Sequence, residues 1–323
     1  MRLIAYILSL FTLISTLLPF IPSDKAWIRN WEFPRVQLFI LNALLIGFFI
    51  WIYPFNSLFQ SIIFFLLIAV ALHQGYKIFP YTPLYPKEVL NCEDSEHSVS
   101  LFVFNVRMSN REVKAALEMI HNENPDIVLL LETNQWWVDQ LSSLNEAYPH
   151  QVIYPLENSY GICLYSKLKL SDPKVNFLTT PDIPSIYTWV EIGTGQHIQL
   201  YCVHPKPPLP SMFKHGKDDI TDIETELVRV ANDLKEKRPA IVMGDFNDVA
   251  WSPTTALFKK MSGLLDPRVG RGLYNTFHAD YFFLRFPVDH IFCSKHFKVT
   301  LLKRLKALGS DHFAVFASLK LSK

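Results

Sequence analysis

The chain has 323 residues, half of them apolar, with 31 Lys and Arg against 30 Asp and Glu and a formal net charge of +1. That length admits one large domain or two ordinary ones, and near neutrality excludes the uniformly basic surface on which non-specific duplex binding depends. Charge is unevenly spread: the first 75 residues hold four of the Lys and Arg and two of the Asp and Glu, leaving 27 basic and 28 acidic residues for the rest, so composition breaks near Gly75 and Tyr76.

Three apolar runs come first, Leu3–Ile21, Val36–Pro54 and Leu58–His73, none with a charged residue. Each approaches the roughly 20 residues that cross a hydrocarbon core of about 30 Å, where a lone segment satisfies its backbone only as a helix. No small-x-small cleavage motif closes the first run and two more runs follow, so residues 1–75 read as a three-helix transmembrane anchor rather than a leader. Trp27, Trp31 and Phe33 in the first loop, with Trp51 and Tyr53 at the end of the second run, suit the two interfaces. Three spans put the N-terminus and the C-terminal region on opposite faces. The first loop carries Lys25, Arg29 and Arg35 on the face of the C-terminal region, and Lys77 and Lys87 follow there, against Arg2 alone on the other. That bias predicts a plasma-membrane protein with its C-terminal region in the cytoplasm. Pro80, Pro83 and Pro86 make residues 76–98 read as an extended tether.

From Ser98 onward the pattern is that of a folded domain, residues 99–323. Ser100–Val106 reads as a strand, Glu112–Asn122 as an amphipathic helix with Val113, Ala116, Leu117 and Ile120 on one face, and Asp126–Leu131 as a buried strand. Trp136–Leu144 follows as a helix, then Gly161–Tyr165, Tyr187–Ile192 and His197–Val203 as strands. Asp219–Lys237 is the longest helical stretch, and Ala240–Gly244, Val288–Cys293, Val299–Leu302 and Phe313–Leu319 complete a strand-rich set. Many strands with few intervening helices predict two facing sheets with helices outside, an α/β sandwich. Cys92, Cys163, Cys202 and Cys293 lack metal spacing and read as small buried residues.

Polar residues gather at the strand ends. Asn105 ends the first strand, Glu132 follows Leu-Leu-Leu, and His204 ends Tyr-Cys-Val-His. Asp245 and Asn247 follow Ile-Val-Met-Gly, Asp289 opens Asp-His-Ile-Phe, and Asp311 and His312 precede Phe-Ala-Val-Phe. Each alone has a plain structural explanation, since Gly, Asp and Asn favour turns and Asp-His pairs often serve only as structural hydrogen bonds. Brought to one rim, they make a carboxylate, amide and imidazole set. Such oxygens suit Mg²⁺, Mn²⁺ or Ca²⁺, and the chemistry that fits is water attack on phosphorus.

Phe-Asn-Val (104–106), Asp-Ile-Val-Leu-Leu-Leu-Glu-Thr (126–133), Ser-Tyr-Gly-Ile-Cys-Leu-Tyr-Ser-Lys (159–167), Val-His-Pro (203–205), Gly-Asp-Phe-Asn-Asp (244–248), Val-Asp-His-Ile-Phe (288–292) and Gly-Ser-Asp-His-Phe-Ala-Val (309–315) together resemble the endonuclease/exonuclease/phosphatase superfamily over about residues 100–318. Gly-Asp-Phe-Asn followed by Ser-Asp-His is the specific pair, and the layout resembles membrane-anchored bacterial members. The resemblance implies a deoxyribonuclease-I-like, four-layer α/β sandwich and a Mg²⁺-dependent hydrolase of phosphoester bonds. By motif, Glu132 resembles the main metal carboxylate, with Asn105 and Asp311 beside it. Asp245 resembles the residue that orients the attacking water, Asn247 a phosphate ligand, and His312 the essential histidine, oriented by Asp289. His204 resembles a second, phosphate-contacting histidine that serves as the acid in the deoxyribonuclease branch. The apurinic-endonuclease branch has an Asp two residues after the Asn, where this chain has Arg107, a residue available to an anionic substrate or to solvent. A lipid-linked phosphate at the bilayer is the expected substrate, with a membrane-tethered nuclease and an inactive phosphate-binding module as alternatives. Specificity is expected in loops 205–217 and 266–286, the latter with Arg268, Arg271, Tyr274, Phe277 and Tyr281.

Overall fold

In the computed structural model, which describes residues 1–21, 26–53, 57–93, 96, 98–193, 195–206, 226–234 and 238–322, the apolar runs are helices. These are α1 (Arg2–Leu17), prolonged by a 3-10 turn at Leu18–Phe20, α3 (Arg35–Ile52) and α4 (Leu58–Ile78), with a short α2 (Ala26–Arg29) in the first loop. All three long segments are long and apolar enough to cross a membrane. Small and polar residues line their contacts. Ala5, Ser9, Thr12 and Thr16 form a buried stripe on α1, and Asn42 of α3 donates to the Leu67 carbonyl of α4 at 2.9 Å. Without a hydrophobic drive between helices in lipid, close approach of small residues and polar bonds of this kind hold a bundle together.

Residues 98–322 build two sheets. The first contains β1 (Ser98–Asn105), β2 (Ile127–Leu131), β3 (His150–Tyr154), β4 (Ile162–Ser166), β10 (Phe297–Arg304) and β11 (Val315–Leu321), in the order β10-β11-β1-β2-β4-β3. The second contains β5 (Leu170–Asn176), β6 (Ser185–Ile192), β7 (Gln196–Val203), β8 (Ala240–Asp245) and β9 (Asp289–Cys293), in chain order. Leu101, Val103, Leu129 and Leu131 of the first sheet meet Val190, Leu200, Ile241 and Met243 of the second in the central core. The outer face of the first sheet is covered by α5 (Val113–Glu123) and α6 (Gln135–Gln140), where Ala116, Ile120 and Trp137 pack on Phe102, Phe104 and Leu130. The outer face of the second is covered by α7 (Glu226–Asp233) and α8 (Pro253–Ser262), with Leu227, Val230 and Phe258 on Tyr201, Val242 and Phe292. Both sheets are buried on both faces, so strands such as Ile127–Leu131 are apolar throughout rather than alternating. The result is a four-layer α/β sandwich.

Nine strands fall within two residues of the segments read from sequence, and two, β3 and β5, lie outside them. Edge strand β5 reads Leu-Ser-Asp-Pro-Lys-Val-Asn, and its pairing with β6 shifts register between Ser171 and Lys174. Pro and charge are tolerated at an edge because one side of the strand is unpaired, and they erase the strand signal. Of the long helix expected over 219–237, Glu226–Asp233 is helical, while 219–225 and 235–237 lie outside the described residues. Cys163, Cys202 and Cys293 are buried free thiols, and Cys92 is half-buried.

The 76–98 segment needs correction. Helix α4 runs on to Ile78, a 3-10 turn at Phe79–Tyr81 follows it, and the described chain beyond passes through a turn and bends while docked on the domain, so it is not an extended tether. Tyr81 is buried against Trp251 and donates to the Ala250 carbonyl at 2.8 Å. Glu88 accepts from Lys259 at 2.7 Å and from the Asp266 amide at 2.8 Å, while Val299 and Cys92 donate backbone bonds that stitch the segment along β10. Tyr81, Glu88 and Val89 encode the docking.

Candidate active site

Strand direction explains why the polar residues meet. β1 and β2 are parallel with Asn105 opposite Leu131, and β7 and β8 are parallel with Val203 opposite Gly244. β9 runs antiparallel with Asp289 opposite Asp245, and β11 antiparallel with Val315 opposite Val103. The C-terminal ends of four strands and the N-terminal ends of two therefore share one rim. Arg107, Glu132 and Asn247, each just past a strand, have left-handed backbones with φ of 59°, 59° and 53°. A non-glycine residue held there costs free energy, and such positions gather where side chains are held for function. Gly244 answers a tighter demand: a Cβ there would lie 1.8 Å from the Val203 carbonyl oxygen, at a φ of 149°.

Asp245 is the centre. It is fully buried, and its Oδ1 accepts from the Asn247 amide at 2.8 Å. Asn105 Nδ2 bridges the sheets, donating to Asp245 Oδ2 at 3.1 Å and to Glu132 Oε1 at 3.0 Å. Glu132 also accepts from the Met108 amide at 3.3 Å and remains half-exposed. Two imidazoles flank Asp245 without touching it: His312 Nε2 is 3.6 Å and His204 Nε2 3.8 Å from Asp245 Oδ2. Burial raises the pKa of Asp245 and the Asp289 charge adds to this, against the two histidines. His312 Nδ1 bonds Asp289 Oδ2 at 2.8 Å. Burial disfavours the imidazolium, but Asp289 and Asp245 outweigh it and lift the pKa of His312 to about 10. Asp289 Oδ1 and His204 Nδ1 are buried without a hydrogen-bond partner among the described residues.

The donor set fits a hard divalent cation. Asp245, Asp289 and His312 each offer a ligand atom within 4.8 Å of the others. The Asp289–His312 hydrogen bond already commits one side of that group, whereas Glu132 and Asp245 present carboxylate oxygens on the other, with Asn105 Nδ2 between them and Asn105 Oδ1 accepting from the Arg107 amide at 3.0 Å.

The remaining expected residues divide. Asn247 is half-buried with its side chain donating to the Pro205 carbonyl at 3.0 Å, beside His204. Asp311 is half-buried, and its side chain lies outside the Asp245–Asp289–His312 group. Arg107 turns from the carboxylates toward Asp280, 4.0 Å away. His290, next to Asp289 in sequence, points away from the rim. Arg268 donates to its Nδ1 and its Nε2 meets the Asp248 carbonyl at 2.9 Å, while burial and then the Arg268 charge push its pKa well down. Arg268 is itself buried in an ion pair with Asp266 at 2.8 Å, so it is packing, as is Arg271, which donates to the Pro267 and Val89 carbonyls.

Three contributors escaped the sequence reading. The Tyr160 ring lies 5.1 Å from that of His204, and Phe277 lies 4.9 Å from that of His312. Ser310 donates to the Asn105 carbonyl at 2.7 Å and accepts from the His312 amide at 3.0 Å, tying β1 to the His312 turn. Tyr160 and Ser310 sit inside the quoted motifs and could have been found there; Phe277 was singled out only as part of the 266–286 loop, and its contact with His312, 35 residues on, carries no local signal.

A four-layer α/β sandwich with a carboxylate and imidazole rim at its strand ends defines a class of hydrolytic enzymes rather than one protein. The family model described as "Endonuclease/Exonuclease/phosphatase family" matches residues 102–312, and the chain belongs to that family, whose members hydrolyse phosphoester bonds. Among solved structures, an endonuclease/exonuclease/phosphatase from Beutenbergia cavernae is similar at a TM-score of 0.54 and 16% identity, over 70% of this chain and 72% of that one. Danio rerio TDP2 complexed with a single-strand DNA product is similar at 0.55 and 16%, over 70% and 100%. The human Nocturnin catalytic domain with bound sulfate is similar at 0.55 and 18%, over 75% and 99%. No curated protein matches the sequence. At these identities the likeness to solved structures speaks for the fold alone.

Proposed function

We propose that the chain is a membrane-anchored, Mg²⁺- or Mn²⁺-dependent phosphoesterase that hydrolyses a phosphoester or pyrophosphate of a lipid-linked or membrane-proximal substrate. Residues 1–75 are its anchor, 76–98 a docked connector and 99–323 its catalytic domain. The observation that carries this reading is the seam between the first helical loop and the domain bearing the rim. Trp251 Nε1 donates to the Glu32 carbonyl at 2.7 Å, Arg29 donates to Thr254 at 3.3 Å, and Phe33 packs edge-on to Phe286 at 5.4 Å. A rigid seam keeps the site at a fixed height above the bilayer and raises the effective concentration of lipid-borne substrate. The same seam sets the loop bearing Arg29 on the domain's side of the anchor, and by the positive-inside rule that side is the cytoplasm.

A divalent cation held by Glu132 and Asn105, with Asp311 nearby, would neutralise charge on the phosphoryl oxygens. Asp245, with its raised pKa, orients and deprotonates the attacking water. Asn247 and His204 hold the phosphate. His312, kept protonated by Asp289, faces the same space and stabilises or protonates the leaving oxygen. The alternative of a tethered nuclease draws on the TDP2 likeness, and the near-neutral charge of the domain counts mildly against it. The intact carboxylate and imidazole set disfavours an inactive binding module.

The test is a substrate panel. The full chain in lipid nanodiscs with Mg²⁺ is offered a polyprenyl pyrophosphate, bis-p-nitrophenyl phosphate, plasmid DNA and RNA. Turnover of the lipid with nucleic acids intact is expected. Nucleic-acid cleavage without lipid turnover contradicts the reading.

A further inference from the structure

Residues 276–287 form a hairpin whose stem belongs to the active site and whose tip does not. In the stem, Phe277 bridges Phe286 and also His312, and Ala279 donates to the Asp311 carbonyl at 2.7 Å. Asp280 faces Arg107 across the mouth of the site. The tip is Tyr281, Phe282, Phe283 and Leu284, which are 57, 72, 78 and 48% exposed. Four consecutive large apolar residues open to water are unfavourable unless something covers them.

The structure indicates what covers them. Gln37 Nε2 donates to the Phe283 carbonyl at 2.6 Å, and Gln37 is the third residue of α3. At a rise of about 1.5 Å per residue, that contact lies within the first turn of the helix. The tip is therefore level with the entry of α3 into the apolar layer, beside Phe33 and on the same side as the exposed Trp27. The lipid-facing side of α3 continues below with exposed Ile40 and Leu44. At the base of the tip, half-buried Arg285 lies 5.3 Å over the Phe282 ring and 4.9 Å over that of Phe313 and donates to the Ala279 carbonyl at 3.1 Å, which places a cation directly behind the aromatic tip. Aromatic side chains with an adjacent cation partition to the bilayer interface.

We propose that the Tyr281–Leu284 tip inserts into the bilayer interface beside α3, so that the membrane surface forms one wall of the active-site mouth and phosphorylated headgroups reach it laterally. The stem carries this position to the chemistry, since Phe277 packs on His312 and Asp280 faces Arg107. The inference rests on the reading of α1, α3 and α4 as membrane spans.

The experiment labels single cysteines with the fluorophore NBD in the full chain carrying Cys92→Ser. Phe283→Cys and Tyr281→Cys report on the tip, Leu44→Cys on the span and Lys169→Cys on the far edge of the second sheet. Nanodiscs of phosphatidylcholine and phosphatidylglycerol (3:1) contain lipids doxyl-labelled near the headgroup or deep in the chain. The expected result is strong quenching of both tip labels by the shallow doxyl, of Leu44→Cys by the deep one, and of Lys169→Cys by neither. Quenching at Leu44→Cys with both tip labels behaving like Lys169→Cys overturns the inference and leaves the anchor standing. No quenching at Leu44→Cys overturns the anchor itself. Tip labels that are shielded without doxyl quenching, in proportion to protein density, assign the tip to a second copy of the chain and also overturn the proposal.

Discussion

His312 lies between two carboxylates, and its behaviour follows from which of them it touches. The Nδ1 bond to Asp289 at 2.8 Å fixes the ring and leaves Nε2 facing Asp245 at 3.6 Å. Its pKa rises from 6.5 to about 10 although burial alone would lower it. A histidine raised in this way contributes stability that is fully present below pH 6.5 and is lost as pH climbs through about 10. In metal-free protein, NMR titration of the His312 ring nitrogens should give a midpoint near 10, and Asp289→Asn should lower it. A midpoint near 6.5 that Asp289→Asn leaves unchanged would show that the pair is not formed. Asp245 is buried between His204 and His312, and the proposed role of its side chain as general base predicts that Asp245→Asn reduces turnover about 10²–10⁴-fold, the usual range for losing such a group. Retained kcat in that variant would remove Asp245 from the reaction. Asn105, Glu132, Asp245, Asp289 and His312 were legible in sequence as a set, at or beside strand ends and inside the quoted motifs, although each alone has a plain structural explanation. The ring contacts of Tyr160 with His204 and of Phe277 with His312 were not, because they join residues distant in sequence.

Among the elements, Gly244 decides whether the rim closes. β7 and β8 approach so closely that a Cβ would meet the Val203 carbonyl oxygen at 1.8 Å, immediately before Asp245. Gly244→Ala should lower stability by about 3 kcal/mol or more, a Tm decrease on the order of 6–12 °C. Gly193→Ala, where a Cβ meets nothing within 4 Å, should stay within about 0.5 kcal/mol. Thermal unfolding of the two variants compares them, and equal Tm values would show that the close approach is not real. The central strands were readable because burial on both faces makes them continuous apolar runs. Edge strand β5, with Ser, Asp, Pro and Lys, was not, since an edge has no second partner to demand regularity. The 76–98 segment was read as an extended tether, whereas its described part begins with the end of α4 and a 3-10 turn and is docked on the domain. Docking is set by residues distant in sequence, Trp251 and Lys259 above all.

Through one continuous seam the whole molecule joins a rim that fits a divalent cation to three helices long and apolar enough to cross a membrane. Arg29, Glu32 and Phe33 on the helical side meet Thr254, Trp251 and Phe286 on the catalytic side. The three apolar helices were legible from length and hydropathy; the seam was not, because nothing in a single sequence pairs Trp251 with Glu32 across 219 positions. The account stands or falls on metal-dependent chemistry at this rim on a membrane. The measurement is phosphate release from a polyprenyl pyrophosphate by the full chain in nanodiscs, after chelation and then on return of Mg²⁺ or Mn²⁺, for wild type and for Glu132→Gln. Chelation should abolish release and either metal should restore it, with Glu132→Gln needing at least tenfold more metal for half its activity. Release that survives chelation, or a Glu132→Gln protein with an unaltered metal requirement, would contradict the account.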